Sequence, residues 1–218
     1  MLRLWQGFSS FTIKAIQRFG PHTVRVIGRS YDVSNDVFNP KFFRTSEFMA
    51  RYIRVRPGDE VLDMGTGSGI QAITAGQLAR KVIAVDINPS AVQYARKNVA
   101  RNGMGDIVSV LEGDLFSPLP AGSHFDVILF TPPYLEGRPS GGLGQALYDP
   151  GKSLVRRFLE EARDHLKPKG YVQMVYTSIA EPERVLQIAD EFGWDCRVVA
   201  KKKGLLETYL IWELTLRH

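Results

Sequence analysis

The chain has 218 residues, of which 44% are hydrophobic and 23% charged, and a formal net charge of +5. That length suits one sizeable α/β domain and is short for two, and the composition excludes a disordered or low-complexity protein. No apolar run approaches the roughly 20 residues that span a bilayer. The single cysteine, Cys196, excludes an intramolecular disulfide and a cysteine-cluster metal site.

Residues 1–40 read as an N-terminal extension, a substrate or packing segment. Its opening carries Arg3, Lys14 and Arg18 but no continuous apolar stretch followed by a small-residue cleavage site, so it does not read as a signal peptide. Together with the lone cysteine this suits the cytoplasm. One helix is expected there, then a short strand around "HTVRVI". "FNPKFFRTSEFMARYI" reads as a loop entering a helix near Thr45 or Ser46; Phe42, Phe43 and Thr45 either wall a pocket or join the core.

From Glu60 onward, short apolar runs alternate with longer segments of helical periodicity. "EVLDM", "KVIAVD", "IVSVLEGD", "FDVILF" and "YVQMVYT" read as strands, and "SGIQAITAGQLAR", "NPSAVQYARKNVARNG" and "DPGKSLVRRFLEEARDHLKPKG" as helices. Pro89 marks a helix start and Gly103 a helix end, with Pro168 and Gly170 closing the last of the three. This rhythm predicts a parallel sheet with helices on both faces. The tail, "DCRVVAKKKGLLETYLIWELTL", breaks it: two strand-like runs joined by a lysine-glycine turn predict a hairpin, and therefore one antiparallel strand. Lys201–Lys203 read as part of that solvated turn rather than as a phosphate-binding patch. The histidines are scattered with no metal spacing, so no metal is expected.

"VLDMGTGSG" sets Gly65, Gly67 and Gly69 directly after a strand and at the mouth of a helix, where glycine permits positive φ and close approach of a ligand. A dinucleotide fingerprint would need its third glycine at position 70, which is Ile70, and a P-loop would need Gly-Lys-Ser/Thr. The spacing therefore leans away from pyrophosphate. Asp86 ends the second strand, where a carboxylate can take both hydroxyls of a ribose or, like Asn88, cap the next helix. Asp114 follows the third strand and could accept from an adenine amine. The fourth strand runs into Thr131-Pro132-Pro133-Tyr134, a stiff corner ending in an aromatic ring, then into a Gly- and Pro-rich stretch that is either a lid or a surface loop.

Glycine loop, ribose carboxylate, adenine-side aspartate and Pro-Pro-Tyr corner, in that order, resemble the class I S-adenosylmethionine-dependent methyltransferases, and within them the branch that methylates nitrogen. The resemblance runs from about Val37 to Leu216 and is strongest to release-factor glutamine methyltransferases. It implies a Rossmann-like, doubly wound α/β domain over residues 41–218, with a seven-stranded sheet whose last strand is antiparallel. It also implies S-adenosyl-L-methionine as cofactor, held by Asp63, Gly65, Thr66, Gly67, Gly69, Asp86 and Ile87, with Asp114 and Leu115 completing the set. The acceptor site falls on Thr131, Pro132, Pro133 and Tyr134.

The family usually has asparagine where this chain has Thr131. An asparagine can grip a primary carboxamide at both ends, whereas threonine offers one hydroxyl. The implied acceptor is a protein side-chain amide or related planar amine on a release-factor-like partner; an exocyclic base amine in ribosomal or transfer RNA, or a small-molecule amine, is the alternative. Some relatives use a small activating subunit. A non-catalytic, cofactor-binding adaptor is the reading without chemistry.

Overall fold

The computed structural model describes residues 21–217 apart from Phe38, Phe42, Phe43, 138–143, Gln145 and Leu206, with Arg44 described by its backbone alone. The helix expected within residues 1–20, the pocket-wall candidates Phe42 and Phe43, much of the glycine-rich stretch after Tyr134, and His218 lie outside the described residues.

An antiparallel hairpin, β1 (Thr23–Val26) and β2 (Arg29–Asp32), comes first. It is followed by α1 (Arg44–Arg51), β3 (Glu60–Met64), α2 (Ile70–Ala75), β4 (Lys81–Asp86), α3 (Pro89–Arg101), β5 (Val108–Glu112) and β6 (Phe125–Phe130). Then come α4 (Ser153–Glu161), β7 (Leu166–Thr177), α5 (Pro182–Glu191), β8 (Trp194–Lys203) and β9 (Thr208–Leu216). The last seven strands form one sheet in the order β5-β4-β3-β6-β7-β9-β8, parallel except for β9, which runs antiparallel to both neighbours. Among the described residues no helix is long and apolar enough to cross a membrane.

The central strands are apolar almost without interruption because both faces are covered. Along β3, β4 and β6, alternate residues serve opposite cores. Val61, Val82, Ala84, Val127 and Leu129 pack with α1, α2 and α3, while Leu62, Met64, Ile83, Val85, Ile128 and Phe130 pack with α4 and α5. Each fully buried Val, Leu, Ile, Met or Phe among them contributes roughly 1.5–3 kcal/mol of transfer free energy. Strand order reverses at β3, with β4 on one side and β6 on the other. Helices leave this point towards opposite faces, so a crevice opens above the carboxyl ends of β3, β4 and β6.

The tail hairpin forms as its sequence predicts, closed by Gly204 N–H donating to Glu207 O at 2.7 Å. Lys201–Lys203, however, are exposed residues of β8 laddered to Leu210, Tyr209 and Thr208 and not part of the turn, because strand pairing continues as far as Lys203. Pro89 stands at the first position of α3, and Gly103 takes φ 66° beyond its end. Two boundaries differ. Pro168 and Gly170 do not close a helix: α4 stops at Glu161, a short 3₁₀ turn spans Ala162–His165, and β7 has already begun at Leu166. Gly170 is needed there for approach to β6, since a Cβ would stand 2.8 Å from the Phe125 carbonyl oxygen. β2 and α5 were not among the expected elements, although Pro182 at the first position of α5 and the helical spacing of Val185, Ile188 and Ala189 mark that helix. β2 is the polar string "RSYD", and α5 starts from Glu181 in a left-handed conformation instead of a capping Ser, Thr, Asp or Asn.

Residues of the N-terminal segment enter the same core as the sheet: Val24, Val26 and Tyr31 are buried with α3. Asn98, fully buried on α3, fastens them. Its Oδ1 accepts from Asp32 N–H at 2.7 Å, and its Nδ2 donates to Asp32 O at 2.8 Å and Ser68 O at 2.9 Å. One side chain therefore ties β2 and the loop after β3 to α3. Replacing Asn98 by Ala should cost roughly 3 kcal/mol, because it leaves three inward backbone groups without a partner. Urea unfolding checks this; a change under about 0.5 kcal/mol, the level typical of inert surface sites, would contradict it.

Candidate active site

The crevice holds an open cleft of about 1040 Å³, including the solvent at its mouth. Eleven of the thirteen site residues expected from the sequence line it: Gly65, Thr66, Gly67, Asp86, Ile87, Asp114, Leu115, Thr131, Pro132, Pro133 and Tyr134. Asp63 and Gly69 lie behind the surface. Asp36, Ser46, Gln71 and Asn88 also line the cleft and are not among the expected site residues: the sequence marks Ser46 and Asn88 only as helix starts, and of the described wall candidates Thr45 is buried next to Ser46.

The loop after β3 takes φ of 68°, 57° and 84° at Gly65, Gly67 and Gly69, a left-handed run that only glycine adopts without strain. A Cβ at Gly65 or Gly67 would meet nothing within 4 Å, so the surface above the loop is open. At Gly69 a Cβ would make ordinary contact with Ala95 and Ile73 at 3.5 Å, so its left-handed φ and not lack of space is what calls for glycine. Four of its N–H donors are already taken, three of them by β4. Gly65 and Thr66 N–H donate to Val85 O at 2.8 and 3.0 Å, Gly67 N–H to Asp86 Oδ2 at 2.8 Å, and Gly69 N–H to Thr66 O at 2.9 Å. A phosphate cradle needs those N–H groups free. This loop instead offers open backbone surface and acceptors, which agrees with the glycine spacing.

Asp63 holds the loop from beneath. Only 1% exposed, its Oδ2 accepts from Thr66 Oγ1 at 2.6 Å and from Ala72 N–H at 3.0 Å. Burial pushes its carboxyl up to about 7, against those two hydrogen bonds. Asp86 sits in the cleft wall with Oδ1 accepting from Asn88 N–H at 2.9 Å, while Asn88 itself caps α3 by accepting from Ser90 N–H. Burial raises the Asp86 carboxyl as well, opposed by the N–H groups of Asn88, Gly67 and Ile87. A carboxylate has about four lone-pair sites, so Asp86 keeps room for further hydroxyl donors. Asp114, across the cleft, is half-exposed and paired with Arg157 at 2.8 Å. Leu115 beside it is buried with φ 47°.

At the other end stands the Pro-Pro corner. Thr131 Oγ1 is buried without a hydrogen-bond partner among the described residues, and so is Gln71 Oε1. Both residues line the cleft, and a ligand bearing N–H or O–H donors would satisfy them. Burial drives the Tyr134 phenol well above its ordinary value, helped by Glu207 and Tyr209, so it stays protonated and cannot act as a base. Among the described lining residues the carboxylates are Asp36, Asp86 and Asp114, with no histidine or lysine.

Residues 34–206 match the methyltransferase small domain family. A putative protein N5-glutamine methyltransferase of Methanocaldococcus jannaschii is 32% identical over 159 residues, covering 70% of this chain and 79% of that protein. A release factor glutamine methyltransferase of Koribacter versatilis is 34% identical over 172 residues, with this chain spanning 60% of its length. Among solved structures, the T. thermophilus 16S rRNA N2 G1207 methyltransferase in complex with AdoMet and guanosine aligns with a TM-score of 0.68 at 20% identity, covering 89% of this chain and 50% of that one. The chain belongs to the methyltransferase small domain family. It is an S-adenosylmethionine-dependent methyltransferase built on the class I fold.

The buried Asp63 carboxyl gives a pH signature. Its folded value of about 7 lies above the ordinary 3.8, so its neutral form favours folding below about pH 4, and that contribution is lost as pH rises through 7. Relative to Asp63→Asn, the wild type should lose on the order of a few kcal/mol between pH 4 and 7.5 in denaturant unfolding. A difference independent of pH, or a wild type that gains with rising pH, would contradict the assignment.

Proposed function

We propose that the protein methylates the nitrogen of a side-chain amide, or a related planar amine, on a protein partner in the cytoplasm. The observation that carries this reading is the convergence of loop, Asp86 and Thr131–Tyr134 on one cleft. S-adenosylmethionine, when bound, supplies an electrophilic methyl carbon on its sulfonium. Gly65, Thr66, Gly67 and Gln71 would hold its amino-acid part, Asp86 and Ile87 its ribose, and Asp114 and Leu115 its adenine. Asp63 supports these groups from below.

An amide nitrogen delocalises its lone pair into the carbonyl, and that pair must be aimed before it can attack the methyl carbon. In that displacement the carbon–sulfur bond would break, S-adenosylhomocysteine would leave and the nitrogen would give up one proton to solvent. The Thr131 hydroxyl and the Pro132 carbonyl are suited to accept the nitrogen's hydrogens and tilt the pair out of plane. Proline at 132 and 133 fixes φ and removes competing N–H donors, so the corner keeps its shape. The neutral Tyr134 ring offers a flat stacking surface. Placement is the main catalytic contribution of such a site, worth up to about 7–11 kcal/mol in favourable cases. The names of the relatives, glutamine methyltransferases, support a protein amide as acceptor. Thr131, with one hydroxyl where a carboxamide would make two contacts, favours an exocyclic base amine in RNA as the second reading.

Replacing Asp86 by Asn should weaken binding of S-adenosylhomocysteine about 10- to 100-fold in calorimetry, as loss of charge-assisted hydrogen bonds to a ribose requires. Unchanged affinity would defeat the cofactor placement. Replacing Tyr134 by Ala should lower turnover at least about tenfold while cofactor affinity holds. Methyl-tritiated cofactor with fractionated cell extract provides the assay: label in protein supports the first reading, label in RNA the second.

A further inference from the structure

Lys152 breaks three local rules at once. Its side chain is 0% exposed, although lysine is almost never fully buried. It takes φ 60°, beside Gly151 at φ 68°, a strained conformation for a residue with a side chain. It also occupies the N-terminal cap of α4, the end of a helix where a cation is unfavourable. The helix does not need it. Asp149 performs the capping, accepting from Leu154 N–H at 2.8 Å, Val155 N–H at 3.1 Å and Ser153 Oγ at 3.2 Å. Strain of this kind persists only where surrounding contacts enforce it, and it gathers at functional sites.

Those contacts lead to the acceptor corner. Lys152 Nζ lies 2.9 Å from Glu136 Oε1 and donates to the main-chain carbonyl of Tyr134 at 3.4 Å. The second oxygen of Glu136 accepts from Gly151 N–H at 3.1 Å. Glu181, also left-handed at φ 56°, stands 4.0 Å from the same ammonium. Between these ties, Leu135 N–H donates to Leu147 O at 2.9 Å and Asp149 N–H to Leu135 O at 3.0 Å. The segment directly after the Pro-Pro corner is thereby stapled to residues 147–152.

We propose that Lys152, through Glu136 and the Tyr134 carbonyl, is a positioning residue that fixes Tyr134 for the methyl acceptor without touching cofactor or acceptor. This rests on the placement of the acceptor at Thr131–Tyr134 argued above. A neutral residue of similar length would keep the volume but release the carbonyl and leave Glu136 to water. Tyr134 would then sample positions from which the acceptor is misaligned.

Lys152→Met, Glu136→Gln and the double variant test this, each assayed in the full chain. In Lys152→Met, kcat for labelled-methyl transfer should fall about tenfold with the acceptor KM changed less than about threefold, the pattern of a lost transition-state alignment. Calorimetric affinity for S-adenosylhomocysteine should stay within about twofold. Glu136→Gln should give a smaller loss, and the double variant should be no worse than Lys152→Met, because both act in one unit. Hydrogen exchange decides the matter independently of activity: the amides of Leu135 and Asp149 should exchange at least about tenfold faster in Lys152→Met, with the 60–69 segment unchanged. Unaltered exchange at Leu135 and Asp149 overturns the proposal. So does a fall in cofactor affinity that tracks the fall in kcat. A wild type that transfers no label anywhere defeats the methyl-acceptor reading instead. Should Lys152→Met fail to fold, the exchange and kcat of Glu136→Gln carry the same test.

Discussion

The site depends on two carboxylates that satisfy a loop which could not otherwise hold its shape. Three left-handed glycines in five residues turn backbone donors inward and sideways, away from any regular ladder. Each unpaired buried donor would cost about 1–3 kcal/mol. Val85 O, Asp86 and Asp63 remove that cost, the first from the neighbouring strand, the second from that strand's end and the third from below. The loop is therefore formed before any ligand arrives. With the Gly65, Thr66, Gly67 and Gly69 donors occupied, the glycine turn itself presents open backbone surface and not a phosphate cradle.

The doubly wound sheet places this loop where such chemistry can occur. Reversal of strand order at β3 sends α2 and α4 to opposite faces and leaves the strand ends uncovered between them. Four separate segments, each the exit of a different strand, then face one space. The Pro-Pro corner obeys the opposite logic from the glycine loop. It is stiffened by two prolines and by a buried lysine, so one wall of the cleft is fixed by hydrogen bonds to carboxylates and the other by covalent restriction and an ion pair.

Much of this was legible in the sequence because it is local. Strands buried on both faces read as unbroken apolar runs. Pro89 and Gly103 bracket α3, and the lysine-glycine turn announces the antiparallel end of the sheet. Gly65, Gly67, Asp86 and the Thr131–Tyr134 corner are recognisable because their chemistry follows strand ends within a few residues. What stayed hidden depends on distance along the chain. Asn98 serves Asp32, 66 residues away, and looks like any polar residue in a helix. Lys152 meets Glu136 across 16 residues of glycine-rich sequence. Pro168 and Gly170 resemble helix terminators, and only the close approach of β6 shows that the glycine serves the sheet. Asp63 was legible as important, but its burial beneath the loop, rather than in the cleft wall, follows from α2 supplying the Ala72 N–H.

The central claim is that a sulfonium donor lies along the ends of β3 and β4 with its reactive carbon directed at the Pro-Pro corner. A crystal structure with S-adenosylhomocysteine tests it most directly. The account requires the ribose hydroxyls within hydrogen-bond reach of Asp86 and the thioether sulfur facing Thr131–Tyr134. A nucleoside bound at another edge of the sheet, or a sulfur turned away from that corner, would contradict it.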